Sequence, residues 1–324
     1  MRSRRRIALA FSTIALLATA ACGSGDAIDD ADDAGDQPTE ESSAATDQGA
    51  LTLSGQNFTE MQVMAAMYEQ VLTDAGYDVT TKLVTTRDIY LKQMSDGKVD
   101  VVPEYLAGIT DFLHIQANGE NAKPVSSNDP QATLDALEPL AAEANITMLE
   151  PSQATDQNAF FVTKDFAAEN NLETLSDLAK MDMDITLAAP EDCAGRPDCE
   201  GGLTEVYGLN IEKIIPTGFG GAATLESVKD GESQLGETGT TDGSLESQGL
   251  VLLEDDKGIQ PAQNLTPAVS SEFLDAHPDV ADALNELSAT LTTEDLAKLN
   301  FAVDAERQKP ADVAEAYLSD KGLI

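Results

Sequence analysis

A chain of 324 residues, 42% of them apolar, is long enough for two domains with their own cores and too apolar to be disordered throughout. Its formal charge of −39 repels phosphate, which excludes nucleic acid as a partner. Two histidines, no Gly-rich phosphate loop and no G-x-S-x-G leave only carboxylates for acid–base chemistry, so no enzyme, cofactor or metal centre is expected.

Met1 to Ala21 reads as a targeting segment: Arg2, Arg4, Arg5 and Arg6 form a basic start, and Ile7 to Ala21 is apolar. That run is shorter than the ~20 residues that span a bilayer. The sequence Leu16-Leu17-Ala18-Thr19-Ala20-Ala21-Cys22 resembles a bacterial lipobox, in which Cys22 is acylated and becomes the new N-terminus. Thr19 fits that pattern poorly, and the alternative is cleavage after Ala20 to leave a soluble secreted protein. Residues 22–50 read as the acylated cysteine and a disordered tether. Nine acidic residues and no basic or aromatic ones in 23–50 give it nothing to bury. A flexible coil of that length spans roughly 30 Å. The expected location is extracytoplasmic, on the membrane surface.

From Leu51 the pattern becomes strand, helix, strand, helix, strand. Leu51 to Ser54 is a short apolar strand. Met61, Met64, Ala65, Tyr68, Val71 and Leu72 mark one helix face, with Thr59 and Gln62 as a capping box. Val79–Val84, Thr86–Met94 and Val99–Val102 continue as strand, helix and strand, which implies a parallel sheet with right-handed crossovers. Ligands bind such sheets at the carboxyl ends of the strands. That rule selects the loops Asn57-Phe58-Thr59, Thr85-Thr86-Arg87 and Glu104-Tyr105 as one wall of a small-molecule site.

Helices are expected at Leu106–Ile115 and after the Asp129-Pro130 cap, then a strand at Ile146–Leu149. The pattern restarts with a strand at Phe160–Val162, a short helix within Leu172–Met181 and strands at Ile185–Ala189 and Ile211–Ile215. A helix over Ala222–Lys229, a weak strand Ser233–Glu237 and a strand Leu250–Leu253 follow. Pro267 to Ile324 reads as mostly helical, in pieces at Ser271–Ala276, Val280–Leu291, Thr293–Leu299 and Pro310–Leu318. Cys193 and Cys199 enclose five residues, and in an exported protein a disulfide is expected.

Ser54-Gly55-Gln56-Asn57-Phe58-Thr59-Glu60, Thr86-Arg87-Asp88-Ile89-Tyr90 and Gly97 through Pro103-Glu104-Tyr105 resemble the substrate-binding proteins of osmoprotectant ABC importers. So do Pro190 through Cys199, Tyr207-Gly208-Leu209, Thr240-Thr241-Asp242 and Pro261-Ala262-Gln263-Asn264. These are the ProX/OpuBC/OsmF-like proteins that bind glycine betaine, choline, carnitine and related quaternary ammonium compounds. The resemblance implies a two-lobed α/β type II periplasmic-binding-protein fold with a discontinuous first lobe and a two-stranded hinge. Lobe 1 would hold residues 51–155 plus 250–324, and lobe 2 residues 156–249. It implies a monomer that captures a quaternary-ammonium or related solute in the inter-lobe cleft and delivers it to ABC permease subunits. A ligand-sensing lipoprotein that signals to a membrane partner is the alternative.

A trimethylammonium group has no N–H to donate, so aromatic faces must hold it. By resemblance Tyr90 and Tyr105 are the expected cage, and Asn57, Thr59, Thr86 and Arg87 the donors for a carboxylate end. Asp156, Asn158, Thr241 and Asp242 are expected to line the cleft. Three departures stand out: Asn158 and Gly239 occupy positions where relatives carry tyrosines, and Leu106-Ala107 replaces a Thr-Gly. Half the aromatic cage is missing. On this reading Cys22→Ala releases the protein from membranes in cell fractionation, and a variant that sediments with membranes as before contradicts the anchor.

Overall fold

The structure is a computed structural model that describes residues 48–324. The expected signal segment, Cys22 and most of the tether lie outside the described residues. The strands are β1 (Gly49–Gln56), β2 (Tyr77–Val84), β3 (Val101–Tyr105), β4 (Ile146–Met148) and β5 (Asn158–Thr163), followed by β6 (Asp184–Ala189), β7 (Asn210–Pro216), β8 (Leu235–Gly239), β9 (Leu250–Leu253) and β10 (Leu265–Ser270). They form two five-stranded sheets, ordered β2-β1-β3-β10-β4 and β7-β6-β8-β5-β9. Pairing is parallel for β1 with β2 and β3, and for β6 with β7 and β8. It is antiparallel wherever β5 or β10 takes part, so both sheets are mixed.

Each sheet is covered on both faces. Helices Thr59–Asp74, Asp279–Thr290, Thr293–Asp304 and Pro310–Lys321 pack on one face of the first sheet. Helices Arg87–Ser95, Leu106–Asn118 and Pro130–Glu143 pack on the other. In the second sheet the period-two alternation of β5 sends Phe160 and Val162 into one core and Phe161 into the opposite one. Cys193 and Cys199, both buried, form the expected disulfide.

Helix Thr59–Asp74 buries more than the expected stripe. Val63 and Met67 join the predicted face because the tail helices close over its second side. The capping box does not form: Phe58 is the extended N-cap residue with no side-chain cap, and Thr59 donates instead to Asp304 Oδ1 at 2.6 Å. Asp129 does cap its helix, accepting from the backbone N–H groups of Gln131 and Ala132.

The strand that organises the first sheet, β10, lies just ahead of the first expected tail helix at Ser271, where the sequence reading names no strand. Pro267 argues against a central strand, because proline cannot donate to a ladder. Here it lies directly opposite Pro103 of β3. Two prolines can face one another only in a non-hydrogen-bonded antiparallel pair, which needs no N–H from either. The Pro267 carbonyl points the other way and accepts from Leu149 N at 2.9 Å.

The chain leaves the first sheet after β4 and returns before β10. The two crossing segments run antiparallel, bridged at Thr155 and Asn264. Leu265 N donates to Ala154 O at 2.9 Å, and Asp156 N to Gln263 O at 3.2 Å. One expected boundary needs correction. The sequence puts residue 250 at the start of the return to lobe 1, yet β9 pairs antiparallel with β5 and belongs to the second sheet. Among the described residues no helix is long and apolar enough to cross a membrane.

Candidate functional site

Glu104, at the end of β3, is buried to 1% exposure and is the acceptor at the centre of a closed knot. Arg87 grips it bidentately, Nε to Oε1 at 2.9 Å and Nη2 to Oε2 at 3.0 Å. The Tyr90 hydroxyl donates to the same Oε1, and Tyr105 N donates to Oε2 at 3.0 Å. With both carboxylate oxygens multiply bonded, the buried charge is compensated where it stands. Burial, then the charge of Glu104, pushes the Tyr90 hydroxyl well above the ordinary phenol range.

This knot holds two of the expected site residues, Tyr90 and Arg87. Tyr90 is 1% exposed among Leu91, Met94 and Leu106, with its ring in the core of the first lobe. Helix Arg87–Ser95 turns it inward, and Glu104 occupies its hydroxyl. Arg87 is held by the same carboxylate and lies over Phe112, 5.9 Å from the ring centroid. Thr86 is an exposed N-cap residue whose side chain makes no cap bond, and Asn57 is exposed and accepts from Gln62 Nε2 at 2.9 Å. None of these four lines either of the two cavities described next.

A cleft of about 450 Å³ does open between the lobes. Phe58, Thr59, Glu60, Asn300 and Asp304 line it from the first lobe, and Phe219, Thr238, Gly239, Thr241 and Asp242 from the second. Asp156 enters from the outgoing crossing segment. Of the expected residues, Thr59, Asp156, Thr241 and Asp242 are therefore brought together. Tyr105 is only 8% exposed and reaches the cleft indirectly, its hydroxyl donating to Glu60 Oε1 at 2.5 Å. Asn158 faces a different cavity of about 520 Å³, shared with Phe160 and Gln260, and donates to Asp198 Oδ2 at 3.0 Å.

The lining is acidic and aromatic. Glu60, Asp156, Asp242 and Asp304 all contribute, and no lysine, arginine or histidine does. Glu60 is buried in the first turn of helix Thr59–Asp74, where the helix N-terminus favours a carboxylate. Its second oxygen accepts from Asn300 Nδ2 at 2.7 Å. Asp156 accepts from Thr241 Oγ1 at 3.1 Å. Burial, then the neighbouring charge of Glu60, raises Asp156 to about 7, while the Thr241 hydrogen bond opposes the shift. Phe58 and Phe219 are unusually exposed for their size, at 40% and 51%, and stand on opposite lobes. Gly239 keeps Asp156 accessible, since a Cβ there would stand 2.9 Å from Asp156 Oδ1. A grouping of metal-ligand type exists at Cys193, Cys199 and Glu237, but its two sulfurs are joined to each other and offer no thiolate.

Phe219 and Asn300 are absent from the sequence reading. Phe219 lies in a glycine-flanked loop with no periodicity, and Asn300 sits on a helix of the tail whose return to this cleft is a long-range fact. The doubled aromatic and acidic signal at Phe58 and Glu60 is visible in the motif itself.

Two covered lobes, a paired crossing and a cleft between them define the solute-binding proteins of the two-lobed α/β class. The family model described as the substrate binding domain of ABC-type glycine betaine transport systems matches residues 49–320, and the chain belongs to that family. It is thus a non-catalytic, extracytoplasmic solute-binding protein of an ABC importer, which delivers a small osmolyte to a membrane permease. It is 27% identical to a glycine-betaine-binding protein of Pseudomonas aeruginosa, over 85% of this chain and 88% of that one. It is 26% identical to the carnitine transport binding protein OpuCC of Listeria monocytogenes, over 80% and 83%. The structure of apo YehZ from Escherichia coli superposes with a TM-score of 0.73 at 24% identity, covering 85% of this chain and 99% of that one.

Two outcomes are expected. Tyr90→Phe lowers stability by about 1–2 kcal/mol in thermal unfolding and leaves cation affinity unchanged; an affinity loss at unaltered stability returns Tyr90 to the site. The second concerns pH. A cation in the cleft favours ionised Asp156, so below about 7 it must displace a proton. Titration calorimetry then finds affinity rising up to about tenfold per unit from about pH 5 to about pH 7, and level above about pH 8. A pH-independent affinity contradicts this.

Proposed function

We propose that the chain captures a quaternary-ammonium or related small cationic osmolyte in the cleft between its lobes and delivers it to permease subunits of an importer. Acylated Cys22 and the acidic tether would hold the body close above the membrane. The observation that carries this reading is a cleft with four carboxylates, no basic residue and an exposed phenylalanine from each lobe. Carboxylates attract the charge, and aromatic faces hold an organic cation without asking it for a hydrogen bond. Phe58, Thr59, Asp156, Thr241 and Asp242 are the proposed contacts from the sequence, joined by Glu60, Phe219 and Asn300 from the fold. Tyr105 contributes by positioning Glu60. Residues from both lobes surround the same space, so a bound solute favours the closed arrangement by its differential contacts.

The test is a thermal-shift panel of glycine betaine, choline, carnitine, proline betaine, ergothioneine and simple amines with the purified protein. At a hundred times Kd, linkage raises stability by about 2.7 kcal/mol, a clear shift in Tm. Glu60→Gln and Asp156→Asn are expected to weaken the best binder tenfold or more. No shift with any organic cation at millimolar concentration overturns the reading.

A further inference from the structure

Phe219 is held by its neighbours and left bare itself. It lies in the loop Thr217-Gly218-Phe219-Gly220-Gly221, just ahead of helix Ala222–Lys229. Gly218 and Gly220 have φ of +91° and +59°, left-handed backbone that a side chain at either position would strain. The Gly218 carbonyl accepts from Thr224 Oγ1 at 2.9 Å, and Gly220 N donates to Glu237 O of β8 at 3.1 Å. A Cβ on Gly220 would stand 2.6 Å from Thr238 Oγ1, so the loop lies directly on β8. The backbone is therefore pinned on both sides of Phe219, yet half of that residue's surface is uncovered in the wall of the cleft.

The ring reaches the last residue of β8, Gly239. Its Cε1 and Cζ are 3.8 Å from where a Gly239 Cβ would stand, and Asp156 Oδ1 is 2.9 Å from the same point. That oxygen is the one Thr241 bonds. Gly239 does not have the left-handed φ of the loop glycines, so its missing side chain answers no demand of the backbone. An alanine there suits the strand, keeps ordinary contact with the ring and collides only with the carboxylate. What the glycine allows is a carboxylate and an aromatic ring converging on one point. A carboxylate attracts any cation, whereas a ring favours one whose charge is wrapped in methyl groups and carries little bound water.

Resting on the cleft assigned above, we propose that Gly239 and Phe219 set its headgroup specificity. Gly239 is a positioning residue that lets the Asp156 carboxylate stand beside the Phe219 ring. The ring makes the site prefer a fully methylated ammonium to its demethylated congener.

The test is titration calorimetry on the full chain with two matched pairs: choline with N,N-dimethylethanolamine, and glycine betaine with N,N-dimethylglycine. In the unaltered protein the quaternary member of the tighter pair is expected to bind about tenfold better. Phe219 is exposed, so its variants keep the fold; Phe219→Leu should cut that ratio several-fold and Phe219→Tyr should retain it. Gly239→Ala should weaken the quaternary probe about tenfold. Added to Asp156→Asn it should cost little more, because the alanine acts through that carboxylate, whereas a merely structural role makes the two losses add. An unchanged ratio in Phe219→Leu, or additive losses, overturns this inference, while binding of either quaternary probe leaves the cleft assignment standing. If neither quaternary probe binds the unaltered protein the inference falls, and the thermal-shift panel decides the cleft assignment separately.

Discussion

The carboxylate of Glu60 holds the first lobe's side of the cleft together. It accepts from Tyr105 at the end of β3 and from Asn300 on a tail helix, two residues far apart in the chain. A buried charge is tolerable only when its oxygens are bonded, and here both are. That requirement fixes where the return of the chain must bring Asn300, and it commits the Tyr105 hydroxyl to Glu60. The negative charge that remains raises Asp156 across the cleft. A site built on one compensated acid thus gathers negative charge on both sides of the cleft.

Glu104 performs the corresponding task one strand-end away, in a closed form. Arg87, Tyr90 and the Tyr105 amide satisfy it completely, so it presents nothing to solvent. The contrast between the two acids separates structure from function in this fold. Both are buried at carboxyl ends of strands or in the helix start that follows, and both are hydrogen-bonded to tyrosines. Only Glu60 opens onto a space shared with the second lobe.

Much of the fold was legible from apolar runs, because strands buried on both faces read as short uninterrupted hydrophobic stretches bounded by turns. β10 was not, since Pro267 disguises it and its tolerance depends on facing Pro103, a partner distant in sequence. The boundary at residue 250 failed for a similar reason: β9 is fixed by pairing with β5, which no local pattern reveals. In the site, motif position named Thr59, Asp156, Thr241 and Asp242, which the fold brings together around one cleft. It also named Tyr90 and Arg87, which the fold ties to Glu104, because a helix places residues on faces and only the core decides which face is inward. The Gly239 departure was legible as a missing ring. Its consequence, an accessible Asp156 beside Phe219, required coordinates.

A crystal structure of the protein with its tightest-binding cation tests the central claim most directly. The account predicts the cationic group between the lobes, beside the Glu60 and Asp156 carboxylates and against the rings of Phe58 and Phe219. A cation held instead in the cavity beside Asn158 and Phe160, or packed against the ring of Tyr90, contradicts it.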